Sequence, residues 1–338
     1  MKKGRKFLSS IAPYGYVMPI SLILLAFVVG SVVISLVFSF TKYNLLLDPE
    51  FIQFDNYKKM LTDPKMHLAV INTLKVMVLV VPLQVVLSVL FAILVASRKH
   101  SLIGKFAKAA IFIPVISSNA VVGTVWKTIL NGRTPVLSDF FALFGVDTAM
   151  LLGSSTTAIV TVAMIMVWKG FGYYMVLNLS TLMSIPDSYY EAAKVDGGGR
   201  LQRFRYITLP LMKPAIIMDI FLSVVSSLQS FELIYTMTGG GPANSTTTMV
   251  LYAYNLTFKT GKAGYAMAVS NILFLIVLAV LVTRKASVIF ESLQRFLEKY
   301  AYESGLFHTL TSHIHHWIIS NAYNKIAHQN TVACLRRF

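Results

Sequence analysis

A chain of 338 residues that is 56% hydrophobic and only 13% charged carries roughly half the charged fraction of an ordinary soluble domain, and its apolar residues fall in long blocks instead of the scattered stripes of a water-soluble core. The formal charge of +16 does not point to nucleic acid, because the bases are spread over short loops between apolar blocks and are not gathered on one face. A single cysteine, Cys334, excludes an internal disulfide and with it a stapled extracellular domain.

Crossing about 30 Å of hydrocarbon takes roughly 20 helical residues that satisfy their own backbone hydrogen bonds. In chain order, residues 16–40, 72–97, 106–130, 154–179, 211–237 and 264–283 meet that requirement, so the predicted class is an all-α polytopic membrane protein of six transmembrane helices. The first block is too long for a signal-peptide core. Before it, residues 1–10 form a short basic segment carrying Lys2, Lys3, Arg5 and Lys6. Arg98, Lys99, Lys105 and Lys108 follow span two, and Lys194, Arg200, Arg203, Arg205 and Lys213 follow span four. The positive-inside rule puts these sides, and both termini, in the cytoplasm of a cell membrane. The opposite segments, 41–71, 131–153 and 238–263, are each too short for an independent domain, so whatever recognises solute outside is expected to be another polypeptide.

Ionisable residues within a span need a reason to be there. Lys75 and Lys127 lie near outer ends and are expected to snorkel. Lys169 and Asp219 are expected to form a structural pair inside the bundle. Toward the outer end of span five, Glu232 stands beside Gln229, Ser230, Phe231 and Tyr235, hydrogen-bonding and aromatic groups suited to sugar hydroxyls and ring faces. The bland alternative is a carboxylate bonded to another span or held at the headgroup boundary. Trp168, Asn178 and Asn271 are weaker candidates for the solute path, since buried polar groups also simply join helices.

The segment between spans four and five, 184–210, is too structured for a plain connector. Pro186 stops the preceding helix, and Ser188 with Glu191 three residues on is expected to form a capping box that starts a new one. That helix runs through Ala192, Ala193 and Val195 to the turn at Gly197, Gly198 and Gly199. Leu201, Phe204 and Ile207 then give a second short helix one apolar face, and Leu209–Pro210 is expected to end it.

Glu191-Ala192-Ala193, three residues, Gly197, nine residues, Ile207-x-Leu209-Pro210 resembles the coupling-loop signature of binding-protein-dependent ABC importer permeases. Asp196-Gly197, Gln202-x-Phe204, Trp168-x-Gly170-Phe171, Phe231-x-Leu233-Ile234-Tyr235 and residues 238–246 resemble its carbohydrate-uptake, maltose-permease-like branch. One departure is that the family usually has alanine after Asp-Gly, where this chain has Gly198. The resemblance implies the type I importer permease fold over residues 11–285, with a coupling loop, 188–210, that docks on a separate ATPase. It also implies a second homologous permease, a different chain, and an extracytoplasmic solute-binding protein in a bacterial inner membrane. Residues 239–245 would lie near that docked binding protein. The chain itself has no phosphate loop, since Thr260-Gly261-Lys262-Ala263 lacks both the first glycine and the hydroxyl. ATP and Mg would therefore be used by the partner, and no cofactor or catalytic role falls to this chain. The competing reading is an ion-gradient carrier in which Asp219, Glu232 and Lys169 couple transport. After Lys285 the pattern stops. Residues 286–338 form an atypical tail whose His308, His313, His315, His316 and Cys334 match no standard zinc spacing, so no metal site is assigned.

Overall fold

The computed structural model describes residues 17–98, 101–130, 139, 142, 143, 145 and 147–303, with the side chains of 47, 149 and 284–303 outside that description. The expectations for residues 1–10, for Lys99 and for the histidine-bearing tail lie outside the described residues.

Apolar length alone generates the first span, α1 (Val17–Phe38), none of whose membrane-crossing window is buried against the rest of the chain. A hairpin, β1 (Thr41–Asn44) against β2 (Leu47–Phe51), and a short helix, α2 (Asp55–Thr62), follow it. Asn56 donates to the carbonyls of Ser39 and Thr41 at 2.8 and 2.9 Å, which fixes α2 against the exit of α1. The second span, α3 (Pro64–Ala96), starts eight residues before its predicted position, with Pro64 at its first position and the Asp63 carboxylate capping the Lys65 N–H. A proline there loses no hydrogen bond, so the helix begins outside the apolar block.

The predicted third span is broken. Helices α4 (Leu102–Ile116) and α5 (Asn119–Ile129) meet at 97°. Ser117 and Ser118 are extended between them, three residues after Pro114. The apolar run continues through the bend, which hydropathy cannot report. After α6 (Thr148–Gly153), the fourth span α7 (Thr157–Met183) makes the most extensive helix pair with α3. Val76 and Val80 pack on Ile159, Ala163 and Val167, and Ala92 and Val95 pack on Met175 and Leu179. These i, i+3 and i, i+4 rows bring two ridges together. Lipid tails are as apolar as valine, so it is the close van der Waals fit that holds the pair, with no hydrophobic transfer term behind it.

The short helix α8 (Asp187–Val195) leads into α9 (Arg200–Leu228), the fifth span. Two expectations change here. Leu209–Pro210 does not end a helix. A π-helical turn over Phe204–Thr208, in which the Leu209 N–H reaches the Phe204 carbonyl, sits just before Pro210 and carries the helix past it. Such a wide turn is where a residue lacking an N–H is accommodated. At the other end the predicted span is cut after Leu228, and α10 (Glu232–Met237) is a separate helix.

The predicted outer segment 238–263 also contains α11 (Met249–Phe258), too short to cross a bilayer. Its Met249, Tyr252, Ala253 and Leu256 are buried among Met66, Ala69, Ala266 and Val269. The last helix, α12 (Ala263–Glu303), carries the sixth span over Ala263–Thr283.

Candidate functional site

No residue of α8 is buried, and Tyr189 and Val195 are exposed. The expected capping box is absent. Pro186 occupies the cap position and no side chain caps the helix, because the restricted proline backbone sets the start two residues ahead of Ser188. Its end is fully specified. The Gly197 N–H donates to the Lys194 carbonyl at 3.1 Å and the Gly198 N–H to the Ala193 carbonyl at 2.7 Å, the paired bonds of a Schellman turn, with Gly197 at φ +78°. A side chain there is strained because its Cβ crowds the following carbonyl. A Cβ at position 198 would stand 2.6 Å from the Ala193 carbonyl oxygen. The glycine that departs from the family pattern thus fits a turn too tight for alanine.

Beyond the turn, the Gln202 side chain accepts from the Gly199 N–H at 2.7 Å and starts α9. The hydroxyls of Tyr190 and Thr208 meet at 3.1 Å, tying α8 to the π-helical turn. Of the predicted coupling residues, Glu191, Ala192, Asp196, Gly197, Leu209 and Pro210 are exposed, while Ala193 and Ile207 are half-buried. The result is a short helix presented outward at the end of the bundle, closed by its glycine turn and tied to α9 by a hydroxyl contact.

Toward the opposite end, the break between α9 and α10 gathers Gln229, Glu232 and Tyr235, all exposed. Phe231 stacks on Tyr235 with ring centroids 5.3 Å apart and planes within 17°. Tyr254 of α11 closes the group at 5.0 Å from Phe231 and 5.2 Å from Tyr235, and Phe258 extends it. A cavity of about 280 Å³ adjoins the stack, lined by Phe231, Tyr254, Val250, Thr257, Met267 and Ser270. Glu232 is the opposite charge that acts on Lys169, which brings α7 to the same level. There Trp168 meets Trp126 edge to face at 5.6 Å. Asn271 stands apart. It exchanges hydrogen bonds with Ser35 at 2.9 and 3.1 Å and joins α12 to α1.

The expected Lys169–Asp219 pair does not form. Asp219 instead accepts from Asn178 and lies 3.4 Å from Ser88. Helical rise fixed the depth of both charges but not the direction each faces around its helix axis. Nearby, Gln84 of α3 donates to the Met166 carbonyl at 3.1 Å and accepts from Ser223 at 2.6 Å, so α3, α7 and α9 are joined twice by buried polar bonds.

Sequence reasoning also missed the anchoring of the segment between α10 and α11. Asn72 donates to the carbonyls of Asn244 and Thr247 at 2.9 and 3.1 Å, and Thr73 accepts from the Met249 N–H at 3.0 Å. The signal was two adjacent polar residues starting an apolar block. A second unread cluster lies at the mouth of α3, where Tyr252 and Tyr265 both donate to Asp63 and the Lys59 ammonium sits 5.1 Å from the Tyr265 ring centre. Burial alone would raise the Asp63 carboxyl. The two tyrosine hydroxyls and the Lys65 and Met66 amides outweigh that and hold it below its ordinary value. Folding therefore favours the ionised form. Its contribution is complete above the ordinary aspartate value and disappears as pH falls through the lowered one. Asp63→Asn is expected to lower the unfolding midpoint of the detergent-solubilised protein at neutral pH, with the gap to wild type closing across that acid window. A gap that widened in acid would contradict this assignment.

Residues 69–299 match the family described as "Binding-protein-dependent transport system inner membrane component". The chain is 33% identical over 242 residues to the multiple sugar-binding transport system permease protein MsmF of Streptococcus mutans, covering 71% of this chain and 82% of that one. It is 29% identical over 272 residues to the trehalose/maltose transport system permease protein MalF of Thermococcus litoralis, covering 79% and 91%. Among solved structures, a chain of a bacterial ABC transporter involved in the import of the acidic polysaccharide alginate superposes with a TM-score of 0.72. It shares 21% identity and covers 84% of this chain and 98% of that chain, a likeness of fold.

Proposed function

The chain belongs to the binding-protein-dependent transport system inner membrane components, and from that premise we propose that it lines half the path of an ATP-driven importer for a sugar or oligosaccharide. The other half comes from a homologous, different permease chain. An extracytoplasmic binding protein delivers the solute, and separate ATPase subunits use ATP and Mg, so this chain catalyses nothing itself. Both termini face the cytoplasm, residues 11–285 form the permease body, and segment 188–210 docks on the ATPase.

The observation that carries this reading is α8, a helix with no buried residue held by a fully bonded glycine turn. A surface element with no buried side chain, yet rigidly specified, suits a docking role. Closure of the ATPase pair would push α8, and the unbroken α9 would transmit the push into the bundle as a rigid-body motion. Family membership displaces the ion-gradient carrier, for which Asp219, Glu232 and Lys169 had been the coupling charges.

The sugar is supported by relatives that are sugar permeases and by the exposed ring of Tyr235 stacked with the half-buried Phe231 and Tyr254 beside Gln229 and Glu232, since aromatic faces and hydrogen-bonding groups together match a pyranose. Phe231→Ala and Tyr254→Ala are each expected to cut uptake by about tenfold, the order of losing a well-packed aromatic contact, with membrane abundance unchanged. Uptake that survived both substitutions would remove the stack from the path. The function is tested by reconstituting the permease pair with its ATPase and binding protein in vesicles. Solute accumulation should follow ATP with ion gradients collapsed, and accumulation that followed the gradient instead would refute the proposal.

A further inference from the structure

Three side chains without exposed surface meet where α3, α7 and α9 pack, namely Ser88, Asn178 and Asp219. Asn178 Nδ2 donates to Asp219 Oδ2 and, at 2.9 Å, to Ser88 Oγ. The Ser88 hydroxyl donates to the Val85 carbonyl at 2.8 Å. Asp219 Oδ1 and Asn178 Oδ1 remain, both buried and both without a hydrogen bond.

An ionised carboxylate at this depth would need a cation. The ion pairs among the described residues are Lys42–Glu50 and Lys58–Asp55, both in the outer segment. Of the charged and titratable groups on the elements packed here, α3 carries Lys65, His67 and Lys75, α4 carries Lys105 and Lys108, α7 carries Lys169, Tyr173 and Tyr174, α9 carries Arg200, Arg203, Arg205, Tyr206 and Lys213, and the described side chains of α12 include Tyr265. Helical rise separates Lys75 from Ser88 by about 20 Å, Lys169 from Asn178 by about 13 Å and, on α9 itself, Lys213 from Asp219 by about 9 Å. Tyr174, one turn from Asn178, is an ionisable group on which the Asp219 charge acts, and it cannot neutralise an anion. A hard cation takes about six or more oxygens, and two oxygens lack partners here.

A carboxyl and a carboxamide each carry two polar atoms on one carbon, so with Asn178 Nδ2 on Asp219 Oδ2 the two unpartnered oxygens can be brought face to face by a turn of either group. We propose that Asp219 is a proton-binding site in the membrane core, with the proton on Oδ1 donated to Asn178 Oδ1 to close an acid–amide ring. One hydrogen satisfies both orphaned oxygens. It leaves the junction of three spans without net charge, and Asp219 acts as a neutral clasp between α7 and α9.

The test is infrared spectroscopy of the full chain in lipid nanodiscs at neutral pH, with thermal unfolding alongside. The wild type should show the carbonyl stretch of a protonated carboxylic acid, and Asp219→Asn should remove it. Because asparagine can reproduce both ring bonds, Asp219→Asn should keep the wild-type unfolding midpoint. Asp219→Leu leaves Asn178 Nδ2 with Ser88 alone and strands Asn178 Oδ1, and should raise the unfolded fraction at a given temperature by about tenfold. Absence of the acid band in the wild type, Asp219→Asn as unstable as Asp219→Leu, or stabilisation of the wild type by sodium but not choline would each overturn the proposal. The wild-type spectrum decides the matter even if a variant fails to fold.

Discussion

Glu191→Lys is expected to abolish ATP-driven uptake while the protein stays in the membrane at wild-type abundance. Glu191 is exposed on a helix none of whose residues is buried, so reversing its charge disturbs little of the fold, and surface substitutions of this kind stay within about 0.5 kcal/mol. At a docking surface the same reversal replaces an attraction with a repulsion, and like charges brought together cost several kcal/mol. Uptake should therefore fall by well over tenfold. Gly197→Val tests the same element from its backbone. Nothing lies within 4 Å of a Cβ at that position and φ is +78°, so the cost is conformational, about 1–2 kcal/mol, and is relieved by re-aiming the turn. Gly197→Asn should be milder, because asparagine visits that region more readily. Wild-type uptake in both Glu191→Lys and Gly197→Val would remove α8 from the coupling path.

Gly172→Leu should have the largest effect on assembly. A Cβ at this position of α7 would run into the Ile111 carbonyl oxygen of α4 and the Val115 side chain. A backbone oxygen inside a helix cannot swing aside as a side-chain tip can, so α4 as a whole must move away. Small residues permit such close approach in membranes, and overpacking typically costs about 1–3 kcal/mol, enough to reduce steady-state abundance several-fold. Quantitative immunoblotting of membranes, with thermal unfolding of the purified variant, measures it. Gly172→Ala should lie between. A leucine variant that accumulated and unfolded like wild type would show that the α4–α7 contact is not as close as described.

The sequence disclosed features whose cause is local and hid those whose cause is tertiary. Six apolar blocks were legible because each must satisfy a length set by the bilayer. Gly197 was legible because a left-handed turn needs a residue without Cβ. The 97° bend at Ser117–Ser118 was hidden, since the hydropathy of the block does not change across it. So was α11, whose ten residues are apolar but too few to cross. Pro210 misled in the opposite sense, because the π-helical turn that accommodates it leaves no mark in composition. Among the site residues, Glu191 to Asp196 lie on α8 and its cap and Gly197 in the closing turn, while Ile207, Leu209 and Pro210 fall within α9. Gln229, Glu232 and Tyr235 share one break, but their partner Tyr254 comes from α11 and could not have been placed without that helix. Asn271 and Asp219 were read by residue type, yet which helix face each occupies decided their partners.

The continuity of α9 past Pro210 has a mechanical corollary. From Arg200 to Leu228 its 29 residues extend about 43 Å by helical rise, more than the thickness of the hydrocarbon. Its π-helical turn and Pro214 both lie toward the inner end, and from there to Leu228 the rod continues as regular helix, so a tilt of the whole is passed to its far end. A tilt of about ten degrees at its inner end would carry its outer end sideways by roughly 7 Å, more than the radius of a sugar ring, and would deliver that excursion to the Gln229–Phe231 break.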